Sequence, residues 1–165
     1  MMEFRTERLT LRPPREGDQA TVIEIFGRAE VLAHRPDPRP EAAAEAQERL
    51  RRDIEHWQVH GFGRWALELD SRVVGFGGLT HRAGFTGLSI SYHLHPDVWG
   101  QGLASEFAQS AVVIAFRDLS AKSVIGLVRP VNIASGRVLE KAGLKLAGDF
   151  PYGGHPGLLY ARLHL

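Results

Sequence analysis

The segment Leu94-His95-Pro96-Asp97-Val98-Trp99-Gly100-Gln101-Gly102-Leu103-Ala104 joins two stretches of different periodicity. Before it, the apolar run of residues 88–95 is typical of a strand that ends at a proline. After it, residues 102–119 place apolar side chains on one helical stripe. Glycines between a strand and a helix expose main-chain amides at the positive end of the helix dipole, where a phosphate or pyrophosphate can bind. The same glycines also suit a tight turn alone, and other segments must distinguish the two.

Short apolar segments alternate with helical ones on both sides of this turn. The predicted strands are residues 9–12, 65–69, 72–79, 88–95, 123–128, 144–152 and 158–165, and the predicted helices are residues 18–33, 41–56, 102–119 and 132–142. Three prolines within residues 34–40 predict a loop. Hairpins interleaved with crossovers predict a mixed α/β fold in a single domain, residues 1–165, with a central, twisted, mostly antiparallel sheet flanked by helices.

The composition limits the function classes. The 165 residues carry 20 Lys and Arg against 19 Asp and Glu, a formal net charge of +1, so bulk charge attracts neither nucleic acid nor an anionic membrane. The chain has no cysteine, which excludes disulfides, thiolate nucleophiles and cysteine-based metal sites. Its longest apolar run, residues 111–116, is far shorter than the ~18–20 residues of a membrane span. We therefore expect a cytoplasmic protein.

Three kinds of phosphate ligand are compatible with a glycine turn in this position. A P-loop needs Lys followed by Ser or Thr after its last glycine, but Leu103 and Ala104 follow Gly102. A dinucleotide site needs an acidic residue at the end of the next strand, and residues 123–128 contain none. Coenzyme A needs amides for its pyrophosphate and a strand edge for its peptide-like pantetheine arm. The strand before the turn supplies that edge, which favours coenzyme A.

Three motifs resemble those of the GNAT superfamily of N-acetyltransferases. The acetyl-CoA signature of that family is matched by Trp99-x-x-Gly102-x-Ala104, with tryptophan where Gln or Arg is usual. Two other segments resemble the opening strand and second cofactor motif of the RimJ/RimL-like branch, the ribosomal-protein N-terminal acetyltransferases: Thr6-Glu7-Arg8-Leu9-Thr10-Leu11-Arg12 and Asn132-x-x-Ser135-x-x-Val138-Leu139-Glu140-Lys141-x-Gly143-Leu144. The resemblance spans nearly the whole chain. It implies a GNAT-like acyl-CoA N-acyltransferase fold, acetyl-CoA as cosubstrate, and acetyl transfer to a primary amine.

The resemblance also implies a cofactor site built from two segments. The implied contacts are His93, Leu94 and His95 with pantetheine through the main chain, Trp99, Gly100, Gln101, Gly102, Leu103 and Ala104 around the pyrophosphate, and Asn132 and Ser135 on the second motif. Asn132 can instead cap the helix that follows it, and Ser135 can be a small packing residue.

His93 is the candidate general base, because its imidazole titrates near neutrality. Strand alternation places His93 and His95 on one face, where a histidine pair can bind a metal, but a third ligand is not evident and no metal is predicted. Family members often carry an acid on this strand and a tyrosine in the second motif; Ser89 or Ile90 and Leu139 stand there instead. A weak base suits an α-amine, about a tenth neutral at pH 7, better than a lysine amine.

The expected acceptor is a primary amine, either the α-amine of a protein or peptide N-terminus or an amine of a small molecule. Two loops, residues 34–40 and 149–157, suit either a cationic acceptor or plain solvation. Their polar candidates are Asp37, Asp149, Tyr152 and His155. A homodimer is compatible with these features. The alternative function is a non-catalytic acyl-CoA-binding regulatory module, which the missing acid and base side chains permit.

Overall fold

The computed structural model describes residues 3–165, so Met1 and Met2 of the predicted domain lie outside the described residues. The strands of the described chain are β1 (Phe4–Arg5), β2 (Leu9–Arg12), β3 (Arg64–Leu69), β4 (Arg72–His81), β5 (Leu88–Leu94), β6 (Ser123–Val128), β7 (Lys145–Asp149) and β8 (Leu158–Leu163). The α-helices are α1 (Gln19–Phe26), α2 (Ala43–His60), α3 (Leu103–Arg117) and α4 (Ile133–Lys141). Short 3-10 helices cover Glu16–Asp18, Ala29–Leu32 and Pro96–Val98.

The strands follow the order β1-β2-β3-β4-β5-β6-β8-β7 in a mixed sheet. The pairing of β5 with β6 is parallel, whereas β1 to β4 and β6 to β8 pair antiparallel. This confirms the predicted mixed α/β fold. The described residues form two compact units, one of residues 3–78 with Tyr92–Leu103 and the other of Leu79–Ser91 with Ala104–Leu165.

The first unit contains the hairpin of β3 and β4 and the two helices α1 and α2. Asp70 and Ser71 join the strands with φ of +50° and +65°, the left-handed pair that a two-residue hairpin turn requires. Apolar side chains from α1, α2 and the strands form one buried cluster. Its larger members are Val22, Ile25, Phe26, Leu32, Leu50 and Phe76. Burial of these side chains holds α1 and α2 against the strands.

A buried ion pair fixes the start of α1 in this unit. The guanidinium of Arg12 on β2 donates to both carboxylate oxygens of Asp18, at 2.7 and 3.0 Å, and to Glu68 on β3 at 3.1 Å. Burial by itself would raise the pKa of the Asp18 carboxyl, but hydrogen bonds from Arg12 and from the amide of Arg15 bring it below its ordinary value. Asp18 is therefore ionised at neutral pH and couples α1 to β2.

The second unit packs α3 and α4 with β6, β7 and β8. The predicted stripe of α3 is buried at Phe107, Ala111, Ile114 and Ala115. The side chain of Leu139 on α4 fills the space beside Gly126 on β6, where a Cβ would lie 2.5 Å from it. Among residues 3–165, no helix combines the length and the apolarity that crossing a bilayer requires.

Several predicted bounds need correction. The predicted helix 18–33 is wrong beyond Phe26, because Arg28 adopts an extended backbone and the chain resumes as the 3-10 helix Ala29–Leu32. Val31 and Leu32 extend the apolar spacing of the first helix along the sequence, but both are buried as part of this 3-10 helix. The second helix is longer than predicted and ends at His60, before Gly61 with φ of +75°. β2 and β6 match their predicted bounds.

Candidate functional site

The end of β5 is bonded to β4 along one edge. The amide of His95 donates to the carbonyl of Val74 at 2.7 Å, and a Cβ built on Gly75 would lie 2.5 Å from the carbonyl oxygen of His93. The carbonyl of His95 accepts from the amide three residues further on at 3.1 Å. Main-chain groups alternate in direction along a strand, so the amide of Leu94 points to the opposite edge. Of the three residues predicted to pair with pantetheine, the geometry therefore favours Leu94.

Two left-handed glycines lead from β5 into α3. Gly100 and Gly102 both have φ of +78°, a conformation that costs a residue with a Cβ ~1–2 kcal/mol. A Cβ on Gly100 would meet no atom within 4 Å, so the main chain is open at this point. α3 begins at Leu103 and directs the positive end of its dipole at the turn. The turn thus has the open main chain and the positive potential of an anion-binding cradle.

Two side chains brace this turn. The indole N–H of Trp99 donates to the carbonyl of Leu94 at 2.9 Å, which closes the loop between the end of β5 and the glycines. The guanidinium of Arg8 donates through Nη1 to the carbonyl of Gln101 at 2.9 Å, and its Nη2 lies 3.7 Å from the Cβ position of Gly102. Sequence reasoning placed Arg8 only in the opening motif. Its position before β2 gave no signal that it reaches a turn 93 residues away.

His95 has a defined structural role. Its ring is buried, with Nε2 2.9 Å from Glu24 Oε1 on α1 and Nδ1 3.1 Å from the amide of Asp97. A main-chain amide can only donate, so Nδ1 is the acceptor and Nε2 carries the proton that is donated to Glu24. Both ring nitrogens are thus bonded within the protein. Among residues 3–165, no group of three or more His, Cys, Asp or Glu side chains is gathered as a metal site.

His93 lies among aromatic and cationic side chains of the first unit. Its ring meets Phe26 edge to face at 4.9 Å, and the guanidinium of Arg49 lies 4.1 Å from the centre of the Phe26 ring. Burial lowers the pKa of His93 well below its ordinary value, and the charges of Arg49, Arg35, Arg64 and His34 lower it further. His93 is therefore neutral at physiological pH and can accept a proton, but it is a weaker base than an exposed histidine.

The neutral His93 should make the fold sensitive to acid. An unfolded histidine titrates near pH 6.5 and the folded one well below, so the unfolded state binds more protons as the pH falls through this window. The free energy of unfolding should then decrease by up to ~1.4 kcal/mol per pH unit below about pH 6.5, until the folded pKa is reached. Urea unfolding across this pH range measures the slope. His93→Gln should remove this part of the slope, whereas His155→Gln at an exposed position should keep it; equal slopes in wild type and His93→Gln would contradict the assignment.

The second motif begins with a helix cap. Oδ1 of Asn132 accepts from the amide of Ser135 at 3.3 Å, the geometry of an N-cap. Asn132 also lines an open pocket of about 230 Å³ with Arg137 and Tyr160. Leu139, at the position where family members often carry a tyrosine, is buried. Ala104, the second residue of α3, also belongs to the second unit. Its contacts with a cofactor, and those of Asn132 and Ser135, stay predictions.

Two of the four polar candidates in the predicted acceptor loops, Asp37 and Tyr152, have side-chain contacts within the protein. Asp37 accepts from Arg39 at 3.1 Å, which also pairs with Glu45. In the other loop, the guanidinium of Arg129 lies 3.6 Å from the centre of the Tyr152 ring and donates to the carbonyl of His155 at 3.2 Å. These contacts fit the interpretation of both segments as braced surface loops.

The motifs, the fold and the cradle agree with a comparison against known families. The model of the acetyltransferase (GNAT) domain family matches residues 8–145. The chain belongs to this family. Both the glycine turn and the second motif lie inside the matched range.

The relatives of this GNAT chain include proteins named as acetyltransferases. It is 32% identical over 96 residues to the FsC-acetyl coenzyme A-N(2)-transacetylase of Aspergillus fumigatus. The matched segment covers 52% of this chain and 40% of that protein. It is 27% identical over 152 residues to the uncharacterized N-acetyltransferase YoaA of Bacillus subtilis, covering 88% and 84% of the two chains. The chain thus spans less than half the length of the A. fumigatus relative.

Solved structures share the fold at low identity. A GNAT-family acetyltransferase from Bacillus anthracis has a TM-score of 0.84 at 24% identity and 98% coverage of both chains. RimL, a ribosomal L7/L12 alpha-N-protein acetyltransferase in complex with coenzyme A, gives 0.79 at 20% identity, covering 96% of this chain and 95% of RimL. AAC(6')-Ib with ribostamycin and coenzyme A gives 0.80 at 18% identity, covering 95% and 94%. The predicted RimJ/RimL-like branch is therefore one of several represented among the neighbours.

Proposed function

We propose that this GNAT chain is an acetyl-CoA-dependent N-acetyltransferase that transfers an acetyl group to a primary amine. The observation that carries the proposal is the turn at Gly100 and Gly102, with two left-handed residues between β5 and α3. The cosubstrate supplies an activated acetyl group as a thioester. The chain has to hold its phosphates, orient its carbonyl and accept a proton from the amine.

The pyrophosphate is proposed to bind the amides at residues 100–104. The positive end of α3 and the guanidinium of Arg8 both favour an anion at this turn. Arg8 also binds the carbonyl oxygen of Gln101. A carbonyl oxygen near the phosphates would repel them, and the guanidinium offsets its partial negative charge.

The amide of Leu94 is proposed to orient the thioester. It points away from β4, and the carbonyl of the same residue is already held by the indole of Trp99. A fixed main-chain N–H can pair with pantetheine or donate to the carbonyl oxygen as negative charge develops there. In the second unit, Asn132 and Ser135 are the proposed pantetheine contacts of the second motif.

His93 is proposed to receive the proton of the attacking amine. A C–N bond forms between the amine nitrogen and the acetyl carbon, the C–S bond breaks, and the coenzyme leaves as a thiolate. The nitrogen becomes acidic as the C–N bond forms, so a base of low pKa suffices at that stage. The proton passes from nitrogen to the neutral His93 and then to solvent. Because a thiol has a pKa of about 8.5, the thiolate can leave unprotonated, which is consistent with a buried Leu139 in place of tyrosine.

The acceptor that best fits this site is one with an appreciable neutral fraction. An α-amine of pKa about 8 is about a tenth neutral at pH 7, whereas a lysine amine is almost fully protonated. A weak base such as His93 cannot readily deprotonate a free ammonium ion of high pKa. We therefore propose an α-amine, of a peptide N-terminus or a small molecule, as the acceptor.

Acetyl transfer can be measured directly. The protein is incubated with acetyl-CoA and panels of peptides, amino acids, polyamines and aminoglycosides, and products are read by mass spectrometry together with release of free thiol. We expect enzyme-dependent addition of one acetyl group to at least one amine class. Binding of coenzyme A without transfer in any panel would favour the regulatory module, and absence of both would refute the proposed function.

Replacing Arg8 with glutamine tests the phosphate contact. Glutamine retains a donor for the carbonyl of Gln101 but removes the positive charge, so affinity for coenzyme A should fall ~10-fold at low salt. The slope of log affinity against log salt should also decrease, because one charge-assisted contact is lost. Arg5→Gln, an exposed arginine three residues earlier, is the matched control. Equal affinity and an equal salt slope in Arg8→Gln and wild type would exclude Arg8 from the phosphate site.

A further inference from the structure

Three arginines of the first unit carry charges that act on His93, and we refer to them as the acceptor arginines: Arg35, Arg49 and Arg64. Arg49 lies against Phe26, whose ring also contacts His93. The charges of all three act on the His93 imidazole. They come from the loop before α2, from α2 itself and from the start of β3. Three separate elements therefore present cations to the same histidine.

The carboxylates that partner these arginines are buried, whereas the arginine side chains are partly exposed. Glu41 is shared by Arg35, at 3.3 Å, and Arg49, at 3.1 Å, while Asp53 pairs with Arg64 at 2.9 Å. The Glu41 and Asp53 side chains are 9% and 7% exposed, against 34%, 22% and 33% for Arg35, Arg49 and Arg64. Each arginine side chain is therefore more exposed than the carboxylate with which it pairs.

We propose that the acceptor amine carries a carboxylate close to its nitrogen, and that the acceptor arginines bind this carboxylate while the amine faces His93. The inference rests on the proposed function and narrows its acceptor class. Guanidinium groups bind carboxylates through paired, charge-assisted hydrogen bonds, which give both affinity and orientation. A polyamine or an aminoglycoside, which carries several positive charges, would be repelled by the same surface.

The cationic surroundings also assist the chemistry of the amine. A carboxylate beside an amine stabilises the ammonium form, and guanidiniums paired with that carboxylate offset this effect, so the neutral fraction of the bound amine that can attack the thioester rises. The carboxylate then balances the guanidiniums, and His93 takes the proton released as the C–N bond forms and the C–S bond breaks. Binding and activation of the acceptor thus depend on the same three arginines.

Matched pairs of acceptors that differ only in the carboxylate test this inference. One pair is a free α-amino acid and its α-amide; a second is an amidated peptide with aspartate at its second position and the same peptide with asparagine. We expect kcat/KM to be at least ~10-fold higher for the carboxylate member of one pair. A higher kcat/KM for the amino acid than for its amide identifies a free amino acid as the acceptor. A higher kcat/KM for the aspartate peptide than for the asparagine peptide identifies an acidic peptide. If amines are acetylated but both pairs differ by less than about twofold, the inference fails while the proposed function stands; if no amine is acetylated, both fail.

A variant separates carboxylate binding from a structural role. Arg35 has a single long contact to Glu41, which Arg49 also holds, so Arg35→Gln should leave the fold intact. It should raise KM for the carboxylate acceptor ~5–10-fold and lower kcat/KM for the amide by a much smaller factor, because only the acid loses a charge-assisted contact. Arg28→Gln, which removes an exposed arginine paired with Glu30, is the control and should behave as wild type. An equal loss of activity with the acid and the amide would overturn the assignment of Arg35.

Discussion

Replacing Gly102 with glutamate should reduce the affinity for coenzyme A by ~100-fold or more. Any side chain at this φ of +78° costs ~1–2 kcal/mol, which the turn can relieve only by moving the amides that face the pyrophosphate. The carboxylate adds repulsion on the order of 1–2 kcal/mol at a few ångströms from the phosphates. It would also attract the guanidinium of Arg8, 3.7 Å from the Cβ position, away from the ligand.

Gly84→Glu is the matched control for this prediction. Gly84 has φ of +88° and open space around its Cβ position, so the substitution imposes the same backbone strain at another turn. Isothermal titration with coenzyme A should show near-normal affinity for Gly84→Glu and little or no binding for Gly102→Glu. Equal affinities in the two variants would mean that the pyrophosphate binds elsewhere.

Replacing Arg12 with alanine should lower the free energy of unfolding by ~3–5 kcal/mol. The change leaves the carboxylate of Asp18 buried without the two hydrogen bonds that Arg12 donates to it. It also detaches the start of α1 from β2. Because α1 carries Glu24 and Phe26, which contact His95 and His93, acceptor turnover should decline together with stability.

Urea unfolding measures this loss. Arg28→Ala removes an exposed pair with Glu30 and should cost less than ~1 kcal/mol. A double variant, Arg12→Met with Asp18→Leu, replaces the pair by apolar side chains and should recover part of the stability. A cost in Arg12→Ala no larger than in Arg28→Ala would show that the buried pair contributes little.

Local patterns predicted the parts of the site that depend on neighbours in sequence. Glycines after a strand predicted the cradle, and both adopt the left-handed backbone. The spacing from Asn132 onward predicted a helix that Asn132 can cap, and both the helix and the cap are present; Gly143, after its end, has φ of +90°. These features are set by a few consecutive residues, because caps and turns are satisfied by their own main chain.

Features that depend on distant residues were not predictable in this way. The contact of Arg8 with Gln101 spans 93 residues and that of His95 with Glu24 spans 71. Helical periodicity also overextended the first helix, since burial of Val31 does not distinguish an α-helix from a 3-10 helix. His93 was predicted to titrate near neutrality, but burial, together with the charges of nearby arginines, lowers its pKa well below that, which only the folded chain reveals.

A crystal structure of the protein with coenzyme A would show where the pyrophosphate binds. We expect pyrophosphate oxygens within hydrogen-bond distance of amides at residues 100–104 and of the Arg8 guanidinium, with pantetheine on the amide of Leu94. Electron density for the coenzyme at any other place, with the glycine turn filled only by solvent, would contradict this expectation.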